Sequence, residues 1–398
     1  MADSFTEVTH RSWGSRLRGS MSGFLAGLAL VLGAIVLLFW NEGSAVRTDR
    51  ALNEGAGLVA TIDPAALTPD LAGRLVHFSG PLAVIGPPAD ATFGGLPVPA
   101  NATHLRRTVE TYLWTEKTSR KTQKKLGGGE ETVTTYSYQK AWTDDYKDSA
   151  TFREPVGHRN PPAGTLESRV FDASGGQIGA VTLPANFVSP LGAEHDLPLS
   201  DALSRRIART MGRPGTLVDG DTVFIGRSAD QPELGDSRIR FQVRTADAAS
   251  AVGQIVNGRF ESFPTANGVA IGMVREGLHS SDAMFASAIS ANTTATWLMR
   301  ALGLLAMYIA FRMVLGFLGV FGDVVPFIGN LVRTATGLVA LAATCLIGGG
   351  VIAIAWLWYR PMLSIAILVA VAGLAFLLTR FSRGRNGPRQ ATAHFGRT

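Results

Sequence analysis

Five histidines, His77, His104, His158, His195 and His279, lie in the long middle section of this 398-residue chain. A general acid/base or metal site built from them would need a carboxylate or a second imidazole close by. None falls in an HExxH, GxSxG or CxxC context, so each reads as an ordinary strand or loop residue unless folding gathers them. Asp219 and Asp221, in VDGD, have the spacing of a turn before a strand rather than of an acid/base pair. Asp144, Asp145 and Asp148 could present oxygens to a divalent cation, but the segment lacks the glycine and terminal glutamate of a calcium loop. Gly127 to Gly129 is not followed by the Lys-Ser/Thr of a phosphate loop. The one cysteine, Cys345, excludes intramolecular disulfides and cysteine-rich metal sites. No catalytic residue, cofactor or metal ligand is assigned, and a non-enzyme is expected.

The elements that would carry these residues divide sharply. The apolar runs are Met21 to Trp40, a second near 296–315, Thr334 to Tyr359, and Pro361 to Thr379. Each is about the length a bilayer core requires. Residues 41–295 carry 25 Lys+Arg against 28 Asp+Glu, a net of −3, and the remainder carries 12 against 3, a net of +9. The overall charge of +6 therefore belongs to tails and membrane flanks, which argues against a nucleic-acid groove and for membrane orientation. Trp40, Trp297, Trp356, Trp358 and Tyr359 fall at one face of four alternating spans, and ten arginines gather at the other against four near the aromatic face. That asymmetry predicts both termini in the cytoplasm and the domain 41–295 outside.

The expected organisation is an α+β integral membrane protein: four transmembrane helices with one large β-rich extracytoplasmic domain between the first and second. Its parts are a basic cytoplasmic tail 1–20, helix 21–40, domain 41–295 opening with a stalk 41–57, helix 296–315, a cytoplasmic interfacial or re-entrant loop 316–333, helices 334–359 and 361–379, and a basic tail 380–398. Within the domain, RLVHFSGPL, TVETYLW, TVTTYSYQKAW, IGAVTLP, DTVFIG, SRIRFQV and GQIVNGRF read as strands between Gly, Pro and Asp turns. SDALSRRIARTMG reads as a helix capped by Ser200 and closed by Gly212. KTSRKTQKKLGGGEE, 117–131, reads as a solvated hairpin tip, with an anionic-surface patch as the other reading. Arg312 has two readings. It is a charge near the midplane if its span starts at Ala301; it is a snorkelling residue, about 22 Å from Trp297, if the span starts there. The second is preferred.

Eight stretches in order, FWNEGSAVRTDRALNEG, GRLVHFSG, LRRTVETYLWTE, YSYQKAW, FREPVGHRNPPA, PELGDSRIRFQV, TWLMRALGLLAMYIAFRMVL and WLWYRP, resemble the transmembrane protein 43 family, also called LUMA. The resemblance runs from about residue 37 to 380. It implies a four-span protein with one large extracytoplasmic or luminal domain, and oligomerisation through the spans. For animal members it implies the endoplasmic reticulum and inner nuclear membrane, with emerin and lamins as partners. An Ala-, Gly- and Arg-rich chain resembles a bacterial member, for which the inner membrane and periplasm replace those compartments and the nuclear partners do not transfer. The similarity singles out Asn41, Glu42 and Gly43, Gly157, His158, Asn160 and Pro161, Gly235 and Asp236, and Arg312, Tyr359, Arg360 and Pro361; Trp40 joins them as the outer boundary of the first span. The resemblance implies no catalytic role for any of them.

Together these readings predict a non-enzymatic membrane scaffold. Its partners would be the bilayer, further copies of the chain and other membrane proteins, with no nucleic acid. A channel or transporter subunit, with Arg312 lining a pore, is the alternative. A membrane-tethered extracytoplasmic enzyme, requiring the scattered His and Asp side chains to converge, is a third reading.

Overall fold

A computed structural model of the chain describes residues 3–322, 326–362, 364–366, 369 and 373. In chain order the elements open with strand β1 (Asp3–Arg11), helix α1 (Trp13–Leu58) and strands β2 (Ala60–Thr61), β3 (Val76–Ile85), β4 (Ala102–Lys124), β5 (Glu130–Thr143), β6 (Arg169–Asp172), β7 (Gly175–Ile178) and β8 (Val181–Pro184). The one-turn helix α2 (Ala185–Val188), β9 (Glu194–Asp196), helix α3 (Asp201–Met211), β10 (Gly215–Val218), β11 (Thr222–Ile225), β12 (Ser237–Thr245), β13 (Ala248–Val256) and β14 (Arg259–Glu261) follow. The last are β15 (Phe263–Pro264), β16 (Ala270–Ile271), β17 (Met273–Glu276) and the helices α4 (Ser281–Gly322) and α5 (Pro326–Tyr359). They form two compact units. Unit 1 comprises Met1–Arg16, Thr48–Asn292 and Asp323–Pro326, and unit 2 comprises Leu17–Arg47, Thr293–Gly322 and Phe327–Thr398.

Unit 1 is a β-rich domain of two main sheets. The larger has the order β1-β5-β4-β12-β11-β10, with β6 on β4 and β9 on β12. The other runs β17-β13-β14-β8-β7-β3-β2, with β13 also on β3. Alternation explains the burial. In β12, Ile239, Phe241 and Val243 point inward and are fully covered while Arg238, Arg240 and Gln242 face out. Those three residues join Leu105, Val223 and Ile225 in one core, and α3 covers it with Leu203 and Ile207. Helix α3 is bounded as its sequence predicts: the Ser200 side chain accepts from Leu203 N–H, and Gly212 closes it at φ 64°. The second sheet builds its own core from Phe78, Ile178, Leu183 and Phe260. A third cluster ties Leu52 of α1 and Met284 and Phe285 of α4 to Leu75, Val252 and Ile271. Burying each such side chain is worth about 1.5–3 kcal/mol.

Unit 1 departs from the sequence reading in two places. Residues 3–11, expected to belong to a cytoplasmic tail, are the edge strand of the larger sheet. All nine residues of β1 pair antiparallel with β5, from Asp3 opposite Tyr138 to Arg11 opposite Glu130. β1 is thereby held against residues 130–138 of β5. Its residues, DSFTEVTHR, offer no apolar stripe, which is why they read as tail. The basic run 117–124 is likewise strand, paired with β5 as far as Lys124 opposite Glu130. The turn itself is only the five residues between β4 and β5.

Unit 2 is helical. Three helices of the described chain are long and apolar enough to cross a membrane: Trp13–Leu58, Ser281–Val320 and Leu331–Tyr359. They contain the expected spans 21–40, 296–315 and 334–359. Most of the expected fourth span, 361–379, lies outside the described residues, as does the tail 380–398. The stalk 41–57 continues α1 as a helix, as the sequence reading has it, whereas the expected loop 316–333 is taken up, where described, by the end of α4 and the start of α5. Nothing in either stretch stops a helix before Gly322. Ala34 and Leu38 of α1 pack on Met307 of α4, with Val351 and Ile352 of α5 beside them. Gly27 allows the close approach of α1 to α4: a Cβ there would stand 2.9 Å from the Ala310 carbonyl oxygen.

Candidate functional site

The polar residues that end the first apolar run do not leave the helix. Asn41, Glu42 and Gly43 stay in α1 within unit 2, and each meets a different group on α4 or α5. Asn41 is buried and its Nδ2 donates to the Thr296 carbonyl at 3.3 Å. Glu42, only 2% exposed, receives a two-pronged bond from Arg300: Nε to Oε1 at 2.6 Å and Nη2 to Oε2 at 2.8 Å. The indole Nε1 of Trp356 adds a third donor to Oε2 at 2.9 Å. Gly43 faces the Tyr359 ring, and a Cβ there would come within 2.5 Å of it. Tyr359 in turn packs on Phe39, with centroids 5.4 Å apart.

The physical reason for this constellation is the cost of a carboxylate among apolar helices, which is several kcal/mol unless the charge is paired and its oxygens are hydrogen-bonded. The planar guanidinium matches both oxygens at once. Its faces are covered as well, with Cζ 4.6 Å from the Trp297 centroid and 5.6 Å from that of Trp356. Trp297 is one helical turn before Arg300, so the stacking partner comes from the same face of α4. One acid, one base and two indoles thereby bind three helices at one level.

The other residues singled out by sequence resolve into local structural roles. His158 is buried in unit 1, stacked on Tyr138 at 4.0 Å and edge-on to Trp114 at 4.8 Å. Its Nδ1 lies 2.9 Å from the Glu154 carbonyl and its Nε2 2.9 Å from the Asp3 carboxylate, so it ties β1 to the domain. Beside it the Tyr138 hydroxyl donates to Glu116 at 2.8 Å and accepts from Glu154 N–H. Burial, then the Glu116 hydrogen bond, pushes the Tyr138 phenol up to about 12. Asn160 imitates a strand: its Oδ1 accepts from Trp114 N–H at 2.8 Å and its Nδ2 donates to the Trp114 carbonyl at 3.0 Å. Gly235 adopts φ 89° in the turn before β12, and its carbonyl accepts from Arg213. Asp236 is buried and takes Arg213 Nη2 at 2.6 Å and Glu233 N–H at 2.8 Å.

Trp40 is left uncovered by protein, as an interfacial side chain would be. Arg360 continues the helical bonding beyond α5, its N–H donating to the Trp356 carbonyl and its own carbonyl accepting from Ser364. Pro361 follows at a position open on its outer side. Arg312 lines an open pocket with Arg333 and Thr334, and its Nη1 donates to the Arg333 carbonyl at 2.7 Å on α5. None of His77, His104, His158, His195, Asp219 and Asp221 hydrogen-bonds to another of the six. His104 meets Asp172 at 2.7 Å, and His77 meets Thr61 and the His279 carbonyl. Asp219 sits at φ 52° in a turn before β11. Among the described residues no group of three metal-ligating side chains converges.

Sequence reasoning found Asn41, Glu42, Gly43 and Tyr359 but treated Arg300 and Trp356 only as members of a charge count and an aromatic belt. The signal that would have joined them was depth. Glu42, Arg300 and Trp356 each sit within four residues of a span end on the same face, and a lone acid there requires a base.

These spans and the β-rich unit define an α+β integral membrane protein whose apolar helices are held by a buried ion pair. The chain belongs to the transmembrane protein 43 family, whose model matches residues 111–361. It is 28% identical to transmembrane protein 43 of Homo sapiens over 381 residues, covering 93% of this chain and 92% of that one. The Mus musculus protein is 27% identical over 378 residues, 92% and 91% of the two chains. The Drosophila melanogaster homolog is 26% identical over 367 residues, 89% and 94%. No solved structure matches the chain.

Proposed function

We propose that the protein is a non-enzymatic membrane scaffold, its spans assembling with further copies of the chain or with other membrane proteins and its β-rich domain offering the binding surface. The observation that carries this reading is the Glu42–Arg300–Trp356 clamp. The only carboxylate on the spans between residues 17 and 47 is fully engaged in joining helices, and the clamp gives the bundle a fixed geometry that partners can recognise. Uncovered apolar side chains such as Leu32, Val36, Leu302 and Leu346 supply the lateral surface for such contacts. The charge asymmetry supports an extracytoplasmic domain, which is periplasmic in a bacterium and luminal in a eukaryote. The β1–β5 pairing supports placing the amino-terminal strand beside the tip of the β4–β5 hairpin.

Crosslinking in native membranes followed by affinity purification tests the scaffold. Homo-oligomers or a defined membrane partner are expected, and a strictly monomeric protein without partners overturns the reading. Sidedness has its own test. Protease accessibility of an amino-terminal tag should match that of a tag inserted at Gly127, and opposite accessibility removes the amino-terminal placement.

A further inference from the structure

The carboxyl-terminal half of α3 and the turn after it form an open pocket within unit 1, about 690 Å³, lined by Arg205, Ala208, Arg209, Gly212, Arg213 and Pro214. One of its three arginines is fixed. Arg213 donates from Nη1 to the Gly235 carbonyl at 2.5 Å and from Nη2 to Asp236 Oδ1 at 2.6 Å, and the other Asp236 oxygen takes the Glu233 N–H at 2.8 Å. That carboxylate is thereby engaged at both oxygens. Arg205 and Arg209 are exposed, and among the described residues neither meets a carboxylate; Arg209 Nε donates only to the Arg205 carbonyl, at 3.4 Å. Arg206, on another face of α3, is instead spent on the Gly95 carbonyl.

Helix stability does not account for this arrangement. Like charges four residues apart weaken a helix, and a base complements the carboxyl-terminal dipole only in the last turn, which Arg209 occupies. Arg205 lies a turn earlier and Arg213 lies beyond the cap. Asp201, the acid one turn before Arg205, serves the amino-terminal end of the helix. Residues at i and i+4 stand about 5–6 Å apart at Cβ, which brings the Arg205 and Arg209 forks within reach of one tetrahedral anion. The helix carbonyls that would repel an anion are answered, since Gly212 N–H donates to the Arg209 carbonyl and Arg213 N–H to that of Ala208. Three guanidiniums against the Asp236 carboxylate leave two positive charges. A phosphate monoester, at about −1.5 to −2 near neutral pH, matches them. Ala208, Pro214 and the arginine stems offer an apolar wall to the body that carries the phosphate. We propose that this pocket binds a phosphate monoester, its oxygens on Arg205 and Arg209 beside the fixed Arg213.

The test uses the full-length protein in detergent and phosphate-free buffer, independently of the scaffold reading. Calorimetric titration with glycerol 3-phosphate forms one arm, and titration with mixed micelles of phosphatidic acid, against phosphatidylcholine, forms the other. Saturable one-site binding of a monoester is expected. Binding of glycerol 3-phosphate identifies a soluble ligand, and binding of phosphatidic acid alone identifies a lipid headgroup. Arg205→Gln/Arg209→Gln should weaken binding about a hundredfold, about tenfold for each charge-assisted contact removed. Arg259→Gln/Arg275→Gln takes the same charge from exposed positions outside the pocket and should leave binding unchanged. Arg205→Lys/Arg209→Lys keeps the charge without the planar fork and should still bind several-fold more weakly than the wild type. Binding of neither monoester, undiminished binding by the pocket glutamine pair, or equal weakening by both glutamine pairs overturns the proposal. If the pocket glutamine pair does not fold, the lysine pair decides it, and wild-type affinity there overturns the proposal.

Discussion

Among the described residues, one arginine–carboxylate pair in each unit is the most deeply buried, and the two pairs solve different problems. In unit 1, Arg107 Nη1 meets Asp90 Oδ2 at 2.5 Å, both side chains nearly inaccessible. The guanidinium also donates to Thr92 Oγ1 and the Glu167 carbonyl, and lies over the Phe93 and Phe171 rings. Asp90 is seventeen residues from its partner and also caps the turn at Ala91. This pair pins a nearby loop to β4. In unit 2, Glu42 and Arg300 are 258 residues apart and join two helices, with Trp356 bringing in a third. An aqueous domain has a sheet and a core to fix its strands, so its ion pair sets local conformation. Helices in lipid lack a hydrophobic drive toward one another, so their ion pair sets which helices meet and at what height.

The comparison breaks most directly at Glu42. Glu42→Ala leaves the Arg300 guanidinium without its acid and should cost about 3–5 kcal/mol, read as a lowered melting temperature in detergent. Adding Arg300→Leu should recover most of that loss, because no unpaired charge remains. Asp90→Ala should cost about 3 kcal/mol, read by urea unfolding of the domain in the full-length protein, and should leave crosslinks between α1 and α4 unchanged.

Titration sharpens the contrast from the domain side. The folded state holds the Tyr138 proton up to about pH 12, against an ordinary value of 10. The native state therefore binds more protons than the unfolded one between these values. Stability is fully present below pH 10 and falls by about 2–3 kcal/mol as pH rises through 12. Tyr138→Phe should remove that extra slope, as measured by denaturant unfolding at a series of alkaline pH values. The smallest effect is expected at Asn41→Ala, about 1 kcal/mol for one neutral hydrogen bond to the Thr296 carbonyl, measured as a shift in detergent melting.

What could be read in advance followed period and length. The alternation in SRIRFQV and DTVFIG located β12 and β11, and Ser200 and Gly212 marked α3 almost to the residue. The apolar runs located three described helices because lipid demands length and little else. The strand β1 and the outer half of β4 were hidden because both are polar on both faces: they are held by backbone pairing and by contacts such as His158–Asp3, which leave no periodic trace. Half of the clamp was legible, since Asn41-Glu42-Gly43 stands out against an apolar run. Its other half was not, because Arg300 and Trp356 are common interfacial residues whose pairing with Glu42 spans 258 and 314 positions.

That separation sets a schedule for biogenesis. Glu42 leaves the ribosome first, and at roughly 5–20 residues per second Arg300 follows about 13–50 s later, with Trp356 about 3–11 s behind that. Throughout that interval the first helix carries an acid that has no base to answer it. Its placement beside Trp40, at the rim of the apolar run instead of the middle, lets the waiting carboxylate stay wet until the last helices arrive.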